Sequence, residues 1–185
     1  MFCDVWGDIG TGPVRYLAES WELLDALCQT PHPALLEYFM TIPANDEPEE
    51  VRACYTESAI ALAKNFSCLP FLNDRITTLE VVRYWPIQNS LEFVDLLEKW
   101  HPGALILLAH YSIIMHRMSA RSWAIKGTAA HLLSIIVRRL DASWHRYIEW
   151  PLNEVGLPPT IQRITDELQF GSLDLSGNRS SSFDR

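Results

Sequence analysis

Apolar residues recur every three to four positions along nearly the whole chain, and no segment shows sustained alternation of apolar and polar residues. The three-to-four residue period is typical of helices that bury one face, whereas alternation is typical of strands. We therefore predict an all-α fold, a single-domain bundle of about seven to nine helices. Residues 77–85 are the one stretch for which a strand remains an alternative.

Prolines and capping residues separate the predicted helices. Asn73 or Asp74 is expected to cap one of them, Ser90 is a good N-cap for the next, and Pro102 suits a first helical turn. The helical domain is expected to span residues 1–157, and residues 158–185 to form a weak helix and a disordered polar tail. The helix over 144–150 is expected to be broken or kinked at Pro151 and to finish near Gly156. The predicted helical spans are 14–27, 34–42, 51–69, 76–85, 91–100, 102–118, 123–140, 144–150 and 161–168.

The segment 102–118 is apolar almost all round, which predicts a central, buried helix. In its middle lie His110 and Tyr111, and burying such a polar group costs about 1–3 kcal/mol unless it finds a hydrogen-bond partner. Two interpretations stand. Either the pair makes structural hydrogen bonds to a neighbouring helix, or one of them offers its polar tip to an apolar ligand that carries a hydroxyl or carbonyl group.

A ligand pocket, if this helix lines one, is expected to include side chains from the next helix as well. The seven tryptophans are either packing elements of the core or, in part, the wall of a pocket for a flat polycyclic or isoprenoid ligand. Methionine side chains adapt to the same kind of wall. The candidate ligand-binding residues are His110, Tyr111, Met115, Trp123 and His131, and His110 and Tyr111 are also the catalytic candidates.

Composition narrows the function classes without selecting one. The chain has 185 residues, 48% of them hydrophobic, and a net charge of −8, which argues against a general nucleic-acid binder. Its longest apolar run, residues 103–115, is too short to span a bilayer, and the N-terminus lacks the features of a signal peptide. The four cysteines show no paired spacing, so we expect free thiols and an intracellular location, cytoplasm or nucleus.

Charge is distributed unevenly along the chain. Residues 1–60 carry eleven acidic residues against two arginines, and residues 101–150 carry six basic residues against two acidic ones. The two segments are expected to pack against each other, within one chain or across a homodimer, and a homodimer is the prediction. An anion-binding or nucleic-acid face is the alternative, although the bases are scattered.

Catalytic and cofactor motifs are missing from the sequence: it has no Walker loop, dinucleotide fingerprint, nucleophile elbow or HExxH segment. His110 and His116 are six residues apart and so lie on different faces of one helix, and few carboxylates are close in sequence. We therefore expect no metal site and no cofactor.

Two sequence elements are distinctive: a Pro-x-Ala-Leu-x-x-Leu-Ala-His-Tyr element and a later Trp-Pro pair followed by a glycine. Their residues are Pro102, Ala104, Leu105, Leu108, Ala109, His110, Tyr111, Trp150, Pro151 and Gly156. With them, about residues 57–157 resemble the regulatory C-terminal domain of fungal binuclear zinc-cluster transcription factors, especially the sterol uptake control type. The resemblance implies an all-α domain that responds to a ligand and, in sterol-sensing members, buries a sterol. The six-cysteine DNA-binding module of that family is absent, so we expect no direct DNA binding.

Three functions remain open from the sequence. The first is a freestanding helical module that binds an apolar small molecule, such as a sterol, a terpenoid or a polyketide-like metabolite. The second is a cofactor-free cyclase or pericyclase of fungal secondary metabolism, in which a shaped cavity and one or two hydrogen-bond donors suffice. The third is a dimerisation module without a ligand.

Overall fold

A computed structural model describes residues 22–42, 47–72 and 77–157, which form α-helices and short 3-10 segments and contain no strand. The predicted all-α bundle of seven to nine helices is confirmed. The 3-10 segments are Leu69–Phe71, Trp123–Ile125 and Ala142–Tyr147. The α-helical segments are α1 (22–27), α2 (Pro33–Met40), α3 (Glu49–Cys68), α4 (Thr78–Gln88), α5 (Leu91–Glu98), α6 (Pro102–Ser119), α7 (Thr128–Arg139) and α8 (Glu149–Val155).

Helix α6 lies at the centre of the bundle and contacts α3, α4, α5, α7 and α8. It begins with Pro102 in its first turn, as predicted, where the missing amide hydrogen leaves no hydrogen bond unmade. Leu105, Ile106 and Leu107 point about 100° apart around the helix axis, and all three are buried. The prediction of a central helix that is buried nearly all round is therefore confirmed.

Helix α4 starts and ends later than the sequence pattern predicts. Thr77 is its N-cap: the Thr77 hydroxyl accepts a hydrogen bond from the Glu80 amide, and the Glu80 carboxylate accepts one from the Thr77 amide. Asn73 and Asp74, the expected caps, lie outside the described residues. The helix continues through Pro86 to Gln88. The strand alternative for this stretch is wrong.

The predicted helix over residues 123–140 is broken at Gly127. This glycine has φ of +82°, a left-handed conformation that a helix interior does not contain and that glycine adopts most easily. Only a short 3-10 turn precedes it, and α7 begins at Thr128. The buried face of α7 consists of Ala129, Leu133, Ile136 and Val137.

The last described helix, α8, carries Pro151 in its first turn and ends at Gly156 with φ of +75°. Proline in the first turn does not remove a helical hydrogen bond, so Pro151 neither breaks nor kinks α8. The end near Gly156 agrees with the sequence pattern. The 3-10 segment Ala142–Tyr147 replaces the start of the predicted helix over residues 144–150.

Several predictions fall outside the described residues. They are the first part of the helix over 14–27, the weak helix over 161–168 and the polar tail within 158–185. Within the described ranges, no helix combines the length and the apolar character that a bilayer span requires.

Candidate functional site

His110 is fully buried in the middle of α6. Its Nδ1 atom lies 2.8 Å from the carbonyl oxygen of Ile106, one turn earlier in the same helix. A carbonyl oxygen can only accept, so Nδ1 carries the hydrogen and donates it. Half of the polar capacity of the imidazole is thus satisfied by its own helix, which leaves Nε2 for another group.

Burial decides the charge of this imidazole. It lowers the pKa of His110 to about 4, although the hydrogen bond to Ile106 acts in the opposite direction. The side chain is therefore neutral at pH 7. Because Nδ1 holds the single hydrogen of the neutral ring, Nε2 has a free lone pair and can only accept a hydrogen bond.

Three aromatic rings surround the imidazole and, with it, form what we name the His110 cluster. The ring centroid of His110 lies 5.2 Å from that of Phe39, 5.5 Å from that of Tyr38 and 5.7 Å from that of Trp150. Tyr38 donates its hydroxyl hydrogen to the carbonyl of Tyr147 at 3.0 Å, which leaves no Tyr38 donor aimed at the imidazole. Helices α2, α6 and α8 thus enclose one neutral acceptor with aromatic surface.

The Nε2 atom of His110 is buried and has no hydrogen-bond partner. An acceptor left unpaired in a buried site costs about 1–3 kcal/mol relative to a paired one, and most buried polar groups in native proteins are paired. Trp150 is 36% exposed, so the imidazole lies only one ring beneath the protein surface. The cluster therefore combines an unused acceptor, an apolar lining and a short path to solvent.

Tyr111, the neighbour of His110 in sequence, faces a different part of the bundle. Its ring lies 4.8 Å from that of Trp85, and its hydroxyl donates to the carbonyl of Val82 in α4. Burial raises the pKa of Tyr111 above its ordinary value. Adjacent residues of a helix point about 100° apart, so the two polar side chains that the sequence groups together are separated in space.

Of the remaining sequence-predicted residues, Met115 is buried in α6. Trp123, on the 3-10 turn before Gly127, exposes 90% of its surface, and His131 lies on the exposed side of α7. The structure therefore does not bring Trp123 and His131 to the buried imidazole. The break at Gly127 leaves Trp123 on a separate 3-10 turn. His131 is exposed because the apolar side chains of α7 form a different face of that helix.

Sequence reasoning missed Tyr38 and Phe39 and did not place Trp150. Residues 38 and 39 lie about 70 positions before His110 and belong to a short helix with no distinctive motif. The sequence marks these two residues only by their aromatic side chains. Because aromatic residues are common in any protein core, this does not identify them as neighbours of His110.

Apart from the His110 cluster, the structure has an open recess between α1, α3 and α4. It is an open cleft of about 290 Å³ whose lining is largely charged and polar, so it does not have the apolar character expected of the ligand pocket. Tyr84 donates to the carboxylate of Asp25 across it at 3.5 Å. The cleft is lined by Asp25, Glu57, Ile60, Ala61, Lys64, Tyr84 and Gln88.

Under this cleft, two cysteines that are far apart in sequence meet. Cys28 follows α1 and Cys68 ends α3, and both are fully buried. The neighbouring Cys68 thiol and burial raise the pKa of Cys28, and the Cys28 thiol lowers the pKa of Cys68. The Cys68 thiol donates a hydrogen bond to the carbonyl of Asn65 at 2.9 Å. In the part of the chain that the structure describes, no three histidine, cysteine or acidic side chains are arranged to hold a metal ion.

Comparisons with protein-family models, with curated proteins and with solved structures found no match for this chain.

Proposed function

We propose that this protein is a helical module that binds an apolar small molecule through the His110 cluster. The observation that carries the proposal is the buried, unpartnered Nε2 atom of His110, enclosed by the rings of Tyr38, Phe39 and Trp150. A site for an apolar ligand needs mostly aromatic or aliphatic lining and a small number of polar groups that fix orientation. The cluster supplies both.

The tautomer of His110 determines which functional group of a ligand can form a hydrogen bond with Nε2. Nδ1 donates to the Ile106 carbonyl, so the free nitrogen is an acceptor and requires a donor from the ligand. A hydroxyl group satisfies this requirement, whereas a ketone, an ether or an ester does not. The proposed ligand class is accordingly an apolar alcohol, such as a sterol or a terpenoid alcohol, with its hydroxyl group directed at Nε2.

Entry of such a ligand requires a side chain of the cluster to move, because His110 itself is fully buried. Trp150 is the natural candidate, since it is 36% exposed and covers the imidazole on the solvent side. Tyr38 is less free, because its hydroxyl is tied to the carbonyl of Tyr147. Rotation of the Trp150 ring would open the path.

Two contacts favour binding over the cyclase alternative. Polarising a substrate carbonyl requires a hydrogen-bond donor. Tyr111 donates its hydroxyl hydrogen to Val82 instead, and neutral His110 uses its only ring hydrogen on Ile106. Neither catalytic candidate offers a free donor, so the binding function is the one we adopt.

The family resemblance supports the same function, because it implies a hydrophobic-ligand domain of the sterol-sensing kind. The proposal also keeps the intracellular location, cytoplasm or nucleus, expected from the cysteines. Cys28, Cys54 and Cys68 are free thiols in the structure, which is compatible with a reducing compartment.

The experiment compares each alcohol with its methyl ether. Ergosterol and farnesol are titrated into the protein beside their O-methyl ethers, and binding is measured by quenching of tryptophan fluorescence. We expect each alcohol to bind about 10-fold more tightly than its ether, the equivalent of one buried hydrogen bond. His110→Phe keeps an aromatic ring but removes the acceptor, and is expected to abolish this preference.

His131→Phe is the matched control, since it makes the same substitution on the exposed side of α7. It is expected to bind all four compounds as the unsubstituted protein does. Equal affinity for alcohol and ether, or a preference that survives in His110→Phe with the fold intact by circular dichroism, would overturn the proposal. Recovery of a chemically altered probe after incubation would favour the cyclase instead.

A further inference from the structure

The indole of Trp150 contacts one aromatic ring on each of two other helices. Its ring centroid lies 5.7 Å from that of His110 in α6 and 5.8 Å from that of Phe66 in α3. His110 is fully buried and Phe66 is 5% exposed, whereas Trp150 is 36% exposed. A ligand that took the place of this indole would therefore contact both buried rings.

The other two rings of the His110 cluster are held more firmly than that of Trp150. Phe39 is fully buried, and the Tyr38 hydroxyl donates to the carbonyl of Tyr147 at 3.0 Å. Rings whose centroids lie 5.2 to 5.7 Å apart are in contact, so a ligand reaches Nε2 of His110 only where a ring is displaced. The place of the Trp150 indole is thus where the polar end of the ligand has to lie.

The backbone around Trp150 is fixed, so the side chain is the part that can move. Pro151 and Leu152, which follow it in α8, are buried. Glu154 of the same helix accepts hydrogen bonds from Arg117 in α6 at 2.7 and 3.0 Å. We therefore expect the indole to rotate outward while α8 stays in place, and the space that it leaves has the flat shape and the two-ring size of an indole.

We propose that the indole of Trp150 occupies the place of the ligand, and that the ligand bears its hydroxyl group on a flat fused-ring system, as a naphthol does. In the complex, this ring system contacts Phe66, and the hydroxyl group donates to Nε2 of His110. The proposal rests on the function proposed above and narrows its apolar alcohol to one with a planar ring.

Two properties favour a planar ring over a flexible chain. A flat aromatic ring makes stacked or edge-to-face contacts with rings such as those of Phe66 and His110, which an aliphatic chain does not make. A hydroxyl group on an aromatic ring has a pKa of about 10 and is more acidic than that of an aliphatic alcohol. It is therefore the stronger donor toward the Nε2 acceptor.

The test is calorimetric titration with 2-naphthol, its methyl ether and 1-decanol, a chain alcohol with as many carbon atoms as naphthol. The unsubstituted protein is compared with Trp150→Ala and with Trp123→Ala, a matched control at a tryptophan that is 90% exposed. Because Trp150→Ala has no indole to displace, we expect it to bind 2-naphthol about 10-fold more tightly, and 1-decanol less than about 3-fold more tightly. Trp123→Ala should change neither affinity.

Phe66→Leu, added to Trp150→Ala, tests the second contact. It keeps an apolar side chain but removes the ring, so we expect the affinity for 2-naphthol to fall about 5-fold and that for 1-decanol to stay the same. All of these proteins retain His110, so each should prefer 2-naphthol to its methyl ether.

The results separate this proposal from the function on which it rests. Equal affinity for 2-naphthol and its ether in every protein would overturn the use of Nε2 and both proposals with it. A preference for naphthol that persists while Trp150→Ala, folded by circular dichroism, binds it no more tightly than the unsubstituted protein would overturn only the present one. An equal gain for 1-decanol in Trp150→Ala would do the same.

A second measurement needs no substitution and covers the case in which a variant fails to fold. Hydroxyl-radical footprinting with mass spectrometry reports the exposure of each tryptophan in the unsubstituted protein. Saturating 2-naphthol should raise the oxidation of Trp150 about 2-fold, because the ligand shifts the side chain toward its outward rotamer. Trp123, which is 90% exposed, is the internal reference. Oxidation of Trp150 that stays constant or falls would mean that the ligand does not replace the indole, and would overturn the proposal.

Discussion

Burial of His110 disfavours its protonated form, because three aromatic rings and apolar side chains replace the water that would solvate the charge. The pKa of His110 consequently falls from its ordinary value of 6.5 to about 4. Between these two values the unfolded chain binds a proton at this residue and the folded chain does not. Stability from this residue is therefore complete above about pH 6.5 and is lost as the pH falls toward 4.

We predict that this one histidine lowers the free energy of unfolding by about 3 kcal/mol between pH 7 and pH 4. Urea unfolding measured across that range checks the value. Carboxylates also titrate there, so the informative quantity is the difference between the unsubstituted protein and His110→Phe. The variant should show a shallower pH dependence, by up to about 1.4 kcal/mol per pH unit.

His131→Phe provides the comparison at an exposed histidine. This variant exchanges an imidazole for a phenyl ring away from the His110 cluster, so the effect of burial is measured by comparing the two variants at each pH. Identical curves for His110→Phe and the unsubstituted protein would mean that the imidazole is solvated in the folded state.

The N-terminus of α4 is stabilised by a capping box. The capping box of Thr77 and Glu80 satisfies two amide groups that a helix start otherwise leaves without partners. Thr77→Ala is predicted to lower the free energy of unfolding by about 1 kcal/mol, because the Glu80 amide loses its acceptor. Chemical denaturation at pH 7 measures the loss.

Two further variants isolate the hydroxyl of Thr77 as the cause. Thr77→Ser keeps the acceptor and should retain most of the stability, since serine caps helices at least as well as threonine. Thr128→Ala makes the same change at the exposed first residue of α7 and removes no capping bond. A loss in Thr128→Ala as large as that in Thr77→Ala would contradict the role of the cap.

The helices themselves could be predicted because hydrophobic periodicity and capping chemistry are local. Ser90 caps α5 and Pro102 starts α6, as the sequence indicates. The break at Gly127 was missed because a glycine within a helical pattern is read as tolerated, and its left-handed φ becomes visible only in the backbone. The break leaves Trp123 on an exposed 3-10 turn, whereas His131 was assigned to the wrong face of α7.

The candidate site was predictable only in part for the same reason. His110 stood out because a polar residue in an all-round apolar helix requires a partner. Its tautomer and its ring neighbours depend on contacts between α2, α6 and α8, which no local pattern encodes.

For the molecule as a whole, the uneven charge distribution predicts contact between acidic and basic segments. In the described ranges, Arg117 forms an ion pair with Glu154, and Nε2 of His101 lies 3.0 Å from a carboxylate oxygen of Glu47. Only the second contact joins the acidic first third to the segment 101–150. Arg139 and Arg146 lie over the rings of Trp100 and Tyr147. We therefore predict that the remaining bases of the segment, Arg121, Lys126 and Arg138, face an acidic surface of a second chain.

Exposed apolar side chains lead to the same prediction, a homodimer. Trp123 is 90% exposed and Leu91 is 84% exposed, and large apolar side chains left in water are candidates for an interface. A two-fold axis is expected, because closed symmetric pairs are the commonest assembly. Sedimentation equilibrium should give about twice the chain mass of 21.2 kDa at low ionic strength.

The salt dependence and one substitution then identify what holds the dimer together. If charged surfaces dominate, the dimer should dissociate at an ionic strength of about 1 M, where the screening length falls to about 3 Å. If apolar contacts dominate, the dimer should persist in salt. Trp123→Ser should then weaken the dimer, because this variant removes the aromatic ring that is most exposed among the described residues. A mass near 21 kDa that depends neither on concentration nor on salt would exclude the homodimer and leave the acidic and basic segments to balance within one chain.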